Sequence, residues 1–285
     1  MTNKPLNIIG LGAYIRCATI RVMLRRVVLV LACLTLAAPA FSADDRTPLA
    51  RARLLYNQRD FDGALSAAEE ARRTPERADA ADLIAARALL ERYRASARPE
   101  DLDQARERLR RITPQRFVGH ERVEFVVGLG EALYFEQLPG AAAAMFDSVL
   151  ESPDGMPDGR DLVLDWWASA VDEDARARSE FERQAMYQQV RDRMRVELGR
   201  TPSSATAAYW TVAAARGQGD LQGAWDAAQA GWVRAALDDD RGAALRGDLD
   251  RLVERALIPE RARQLGQPPE TLREEWDKFK ERWSK

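Results

Sequence analysis

The chain has 285 residues, with 43 Lys and Arg against 45 Asp and Glu, a formal net charge of −2 at pH 7. That balance excludes a dedicated nucleic-acid binder, which needs a basic face. A single histidine excludes metal sites built on two or more imidazoles, and the only cysteines, Cys17 and Cys33, both fall before residue 44.

The N-terminal region predicts export. From Met23, Arg25 and Arg26 supply positive charge, and Val27 to Ala38 is a twelve-residue run that is apolar except for Thr35. As a helix that run rises about 18 Å, too short for roughly 30 Å of hydrocarbon, so a cleaved signal peptide is expected rather than a membrane anchor. Ala38-Pro39-Ala40 and Ala43 offer cleavage sites. Residues 1–22 make a poor lead-in to such a signal, so Met23 is expected to be the true start and 1–43 to stand outside the fold. Val30-Leu31-Ala32-Cys33 loosely matches a lipoprotein box, which leaves a lipid anchor through Cys33 as the alternative. Residues 44–285 are long enough to bury a sizeable core without disulfides.

Along that segment, helix-like runs stop at a hydroxyl residue followed by proline: Thr74-Pro75, Thr113-Pro114, Ser152-Pro153 and Thr201-Pro202. The first three prolines stand 39 residues apart, the period of a pair of short antiparallel helices. Second helices are predicted at Asp60-Phe61-Asp62-Gly63-Ala64, at Leu102 to Ile112, at Leu138 to Val149 and at Gly219 to Trp232. Apolar residues at steps of three and four mark one buried face in each. Ala64, Ala105, Ala141 and Ala224 are aligned as the small residue where the two helices of a pair touch. On that alignment Ala141→Leu is expected to cost about 1–3 kcal/mol by overpacking. A more divergent pair is read over 161–171 and 179–198, a further helix over 242–257 ending at Ile258-Pro259, and a charged terminal helix over 270–283.

The second-helix pattern resembles the tetratricopeptide repeat (TPR) family: a large apolar residue three before a key alanine, and a proline closing the unit. Phe61, Ala64 and Pro75 meet it, as do Leu138, Ala141 and Pro153, while the family's first-helix tryptophan and glycine are largely absent. The resemblance covers 44–153 and, through Asp220 to Ala224, 203–236. It implies an all-α fold, a right-handed α-solenoid of antiparallel helix pairs with five to six units over 44–236, closed by capping helices over 237–285. It also implies a protein-binding or scaffolding role, with no cofactor, in which a concave surface of first helices meets a peptide or partner domain.

Few motifs suggest chemistry. Gly128-Leu129-Gly130 lacks the third glycine of a dinucleotide-binding turn and suits a close helix contact better. His120, near a helix start, reads as exposed or capping, and His120→Ala is expected to change neither stability nor binding. The acidic turns of 153–161 and Asp238-Asp239-Asp240 have no calcium-loop spacing. All seven tryptophans follow residue 165. Trp166 and Trp167 are adjacent on a helix and cannot share a face, so one of them is the candidate partner contact, its replacement by alanine expected to weaken binding about tenfold. The competing reading is an envelope glycan-binding or glycan-processing subunit using Trp and Asp residues of 154–181, and a third is a structural assembly subunit that associates only with itself. Mass spectrometry of the native protein is expected to find an N-terminus between Phe41 and Asp44; an intact Met1 or Met23 contradicts export.

Overall fold

The repeated unit begins with its turns. A computed structural model of the chain describes residues 47–152, 159–238 and 241–283, all within the compact unit Phe41–Lys285. In the turn joining α1 (Pro48–Asn57) to α2 (Phe61–Arg72), Arg59 takes a left-handed φ of 63° and the Asp60 amide donates back to the Leu55 carbonyl at 2.9 Å. Asp60 then caps α2 by accepting from the Gly63 amide at 3.0 Å. A side chain at position 63 would run into that carboxylate, since an added Cβ would lie 2.3 Å from it. The same device joins α9 (Ala205–Gly217) to α10 (Leu221–Arg234), with Gly219 left-handed, Asp220 as cap and Gly223 beneath it. It recurs without the aspartate between α5 (Gly119–Phe135) and α6 (Pro139–Glu151), where Gln137 is left-handed and the Leu138 amide donates to Leu133.

This turn fixes which alanine meets the first helix. The residue four past the cap is Ala64, Ala142 or Ala224, and each is completely buried. Ala141, expected at that contact, is exposed instead, and Leu138 is the cap of α6 rather than the counterpart of Phe61. The alignment slips by one residue because the α5–α6 turn carries neither glycine nor aspartate to mark it. Ala105, in α4 (Pro99–Arg111), is buried as expected. Gly130 packs its backbone on the Phe146 ring, which an added Cβ would meet at 2.6 Å.

Two further pairs complete the series: α3 (Ala78–Ser96) with α4, and α7 (Arg160–Ala175) with α8 (Glu180–Arg200). A capping box at Ser179 and Glu182 starts α8. The described residues contain helices and turns but no strand. Each helix packs on its neighbours in the chain, so the helices form adjacent antiparallel pairs. The odd-numbered, first helices also touch one another in the order α1, α3, α5, α7, α9, α11, whereas α2, α4, α6 and α8 pack chiefly on the first helices beside them.

The C-terminal end departs from its sequence reading at Pro259. Rather than stopping, α11 (Gly242–Leu252) widens into a π-turn (Val253–Leu257) and continues as α12 (Ile258–Leu265). Proline lacks the amide for an α-helical bond, and a local π-turn absorbs the mismatch. The final helix, α13 (Pro269–Trp283), inserts Trp276, fully buried, between Trp225 and Trp232, with its indole N–H donating to Asp250 at 2.9 Å. It covers the apolar face formed by α10 and α12.

Equilibrium unfolding followed by circular dichroism tests the corrected register. Ala142→Leu is expected to cost about 1–3 kcal/mol, and the neighbouring Ala141→Leu less than about 0.5 kcal/mol.

Candidate functional site

Three successive first helices meet around one guanidinium. On α1, Arg53 and Tyr56 are three residues apart and share a face; Ile84 and Arg87 do so on α3, with Leu83 beside them, and His120 and Glu124 on α5. Together they line a cavity of about 170 Å³. Arg87 is its centre: 8% exposed, with its guanidinium carbon 5.1 Å from the centre of the Tyr56 ring. Its Nη1 donates to Glu124 Oε1 at 3.0 Å, but its buried Nε has no acceptor among the described residues. Gly128 lies against its stem, where an added Cβ would make only ordinary contact with the Arg87 Cγ at 3.8 Å. Around the rim, Arg53 pairs with Glu121, and His120 Nε2 stands 3.4 Å from Glu124 Oε1.

The carboxylates nearby outnumber what one arginine can satisfy. Glu131, two turns beyond Glu124 on α5, is 3% exposed. Burial pushes its carboxyl up to about 7 against the pull of Arg87, because desolvation disfavours the ionised form. Burial likewise raises the Tyr56 phenol. The arrangement is therefore a desolvated, charged recess with an aromatic wall, able to hold a partner's polar group between Arg87, Tyr56 and His120. Leu54 on α1 and Val118, the cap of α5, are 55% and 78% exposed, and they add apolar surface to the same two helices.

The tryptophan pair lies elsewhere. Trp167 is 1% exposed, a core residue beneath the Arg193 guanidinium at 4.6 Å, so it has no surface to offer a partner in this fold. Trp166 is half-buried among Tyr134, Phe135 and Phe146, at centroid distances of 5.3, 5.7 and 6.0 Å. The acidic residues around them are committed: Asp165 accepts from the Trp210 indole at 2.7 Å, Asp172 from the Tyr187 hydroxyl at 2.7 Å, and Asp161 from Ser204 at 3.0 Å. His120 is exposed on the first turn of α5, as expected, but it also lines the Arg87 recess, so the expectation that its replacement leaves binding unchanged does not carry over. Ala64, Ala105 and Ala224, read as repeat markers, are packing residues. The acidic turn at 153–158, Asp239 to Asp240, and Cys33 with the export segment lie outside the described residues. No group of three or more potential metal ligands occurs among the described residues, and none of their helices is long and apolar enough to cross a membrane. Comparison with family models, with curated proteins and with solved structures finds no match.

Glu131 gives the recess a measurable pH dependence. A carboxyl titrating near 7 when folded and at 4.5 when unfolded binds more protons in the folded state between those values. Stability is therefore full below 4.5 and falls as pH rises through 7. Unfolding free energy is expected to drop by up to about 3 kcal/mol across that window relative to Glu131→Gln, measured by urea denaturation at each pH. Parallel curves for the two proteins contradict this assignment.

Proposed function

We propose that the protein is an exported, TPR-like right-handed solenoid that serves the bacterial cell envelope as a protein-binding or scaffolding module, without catalysis. The observation that carries this reading is the recess at Arg87. It is assembled from three consecutive first helices, so it exists only because the pairs stack. Desolvated guanidinium and aromatic groups at one spot are the usual anchors of protein recognition, and exposed Leu54 and Val118 supply apolar contact beside them. Of the tryptophan pair, only Trp166 keeps surface for a partner, on the same row of first helices further along. Periplasmic release or a lipid anchor at Cys33 both suit such a module.

A photo-crosslinking amino acid placed at His120, expressed in the native host, tests the proposal. A discrete protein adduct is expected from position 120 and not from Phe181, which is 84% exposed on α8. Tyr56→Ala is expected to reduce that adduct about tenfold while leaving the helical signal unchanged. Equal adducts from both positions, or turnover of a cell-wall polymer by the purified chain, contradict the proposal.

A further inference from the structure

On the opposite side of the row of first helices, the second helices stand apart, and the seams between them carry arginines. In two seams these charges are answered by carboxylates across the gap. Between α2 and α4, Arg108 bonds Glu69 of α2 and, at 2.7 Å, Asp82 of the α3 floor. Between α6 and α8, Arg193 reaches Asp147 and, at 3.6 Å, Glu151, both on α6.

The seam between α8 and α10 follows that rule at one end only, where Arg191 meets Asp220. It encloses a groove of about 510 Å³, lined by Arg191, Asp192, Arg195 and Leu198 of α8, Thr211 of α9 and Arg234 of α10. Arg191 is held at one end by Asp220, at 2.9 Å. Arg195 is bonded only within its own helix, to Asp192 at 2.8 Å, and is 77% exposed. Arg234 has no side-chain acceptor among the described residues. The groove thus holds three guanidinium groups against one lining carboxylate. It is also open: a Cβ added to Gly199 on its wall would meet nothing within 4 Å.

The length of the seam decides the shape of the ligand. Arg191 docks at Asp220, the cap of α10, and Arg234 is the last residue of that helix. That helix rises roughly 21 Å over its fourteen residues, which sets the length of the seam's α10 wall rather than the distance between Arg195 and Arg234. A single phosphate spans a fraction of that length, whereas six residues of extended chain cover about 20 Å. Leu198 gives such a chain apolar contact between the charges. We propose that the groove between α8 and α10 receives an extended acidic segment of a partner polypeptide, with its carboxylates seated on Arg195 and Arg234. Guanidinium groups bind carboxylates bidentately, which gives the seam direction and register as well as charge. The groove shares with the proposed function only the premise of a polypeptide ligand, and it lies on a different surface.

Fluorescence anisotropy of a labelled octaglutamate peptide, titrated with the purified full chain at low salt, tests this. Saturable binding is expected, weakened about tenfold by Arg195→Glu and by Arg234→Glu, and less than twofold by Arg110→Glu, an equal charge change on a 66% exposed residue of α4. Gly199→Glu places a carboxylate in the open groove on a helix that tolerates it, and it is expected to weaken binding as much without loss of stability. Absence of saturable binding, or an equal effect of Arg110→Glu, overturns the proposal. So does competition by inorganic phosphate as strong, charge for charge, as by unlabelled peptide, or equal retention on anionic phosphatidylglycerol vesicles. Loss of octaglutamate binding with the position-120 adduct intact removes the groove alone; loss of that adduct alone removes the proposed function of the Arg87 recess.

Discussion

Three of the helix pairs, α1 with α2, α5 with α6 and α9 with α10, depend on one close approach, four residues past the cap of the second helix. There, a left-handed residue, a back-bonded cap amide and a methyl-sized side chain bring two backbones together, at Ala64, Ala142 and Ala224. The constraint is steric rather than energetic in origin, since interiors packed at crystal density have no slack for a larger group. It sets the spacing of the other helices. First helices held tightly by their partners lie close enough to touch the next first helix, while α2, α4, α6 and α8 are left splayed around them.

That geometry leaves two kinds of polar space, and the chain fills both with arginine and carboxylate. On the first-helix side Arg87 is desolvated, its attraction to Glu124 working against the cost of burial. On the other side two seams are neutralised across the gap, through Arg108 and Arg193. Buried or half-buried pairs of this kind contribute little net stability, so their value lies in fixing register between helices whose apolar faces are largely alanine and leucine. Where a desolvated group lacks full compensation, as at Arg87 Nε and Glu131, burial carries a cost that a hydrogen-bonding ligand would offset.

How much of this was legible depends on the chemistry of individual residues. Proline and the Asp-x-x-Gly caps act locally and stereochemically, so Pro75 and Pro114 mark where second helices have ended, and Asp60-Gly63 and Asp220-Gly223 where they start. The α5–α6 turn hides its left-handed residue as Gln137, which gives no sequence signal, and the register slips there by one position, onto Ala141. Pro259 reads as a stop because a π-turn depends on packing around Val253 and Leu257, not on a local code. The Arg87 recess escapes a sequence reading because its charges come from helices more than thirty residues apart, and nothing in an Arg-rich sequence distinguishes the one that is desolvated. Adjacency on one helix does separate the faces of Trp166 and Trp167. It carries no sign that Tyr134, Phe135 and Phe146 cover most of the outward one.

The central claim is that stacked first helices form one recognition face. Hydrogen–deuterium exchange of the chain, alone and saturated with the protein crosslinked from position 120, measures this directly. Added protection is expected in α1, α3 and the first half of α5 together, from three segments that are separate in sequence and joined only by the stack. Protection confined to a single helix pair, or falling on α2 and α4 while α1, α3 and α5 are unchanged, contradicts it.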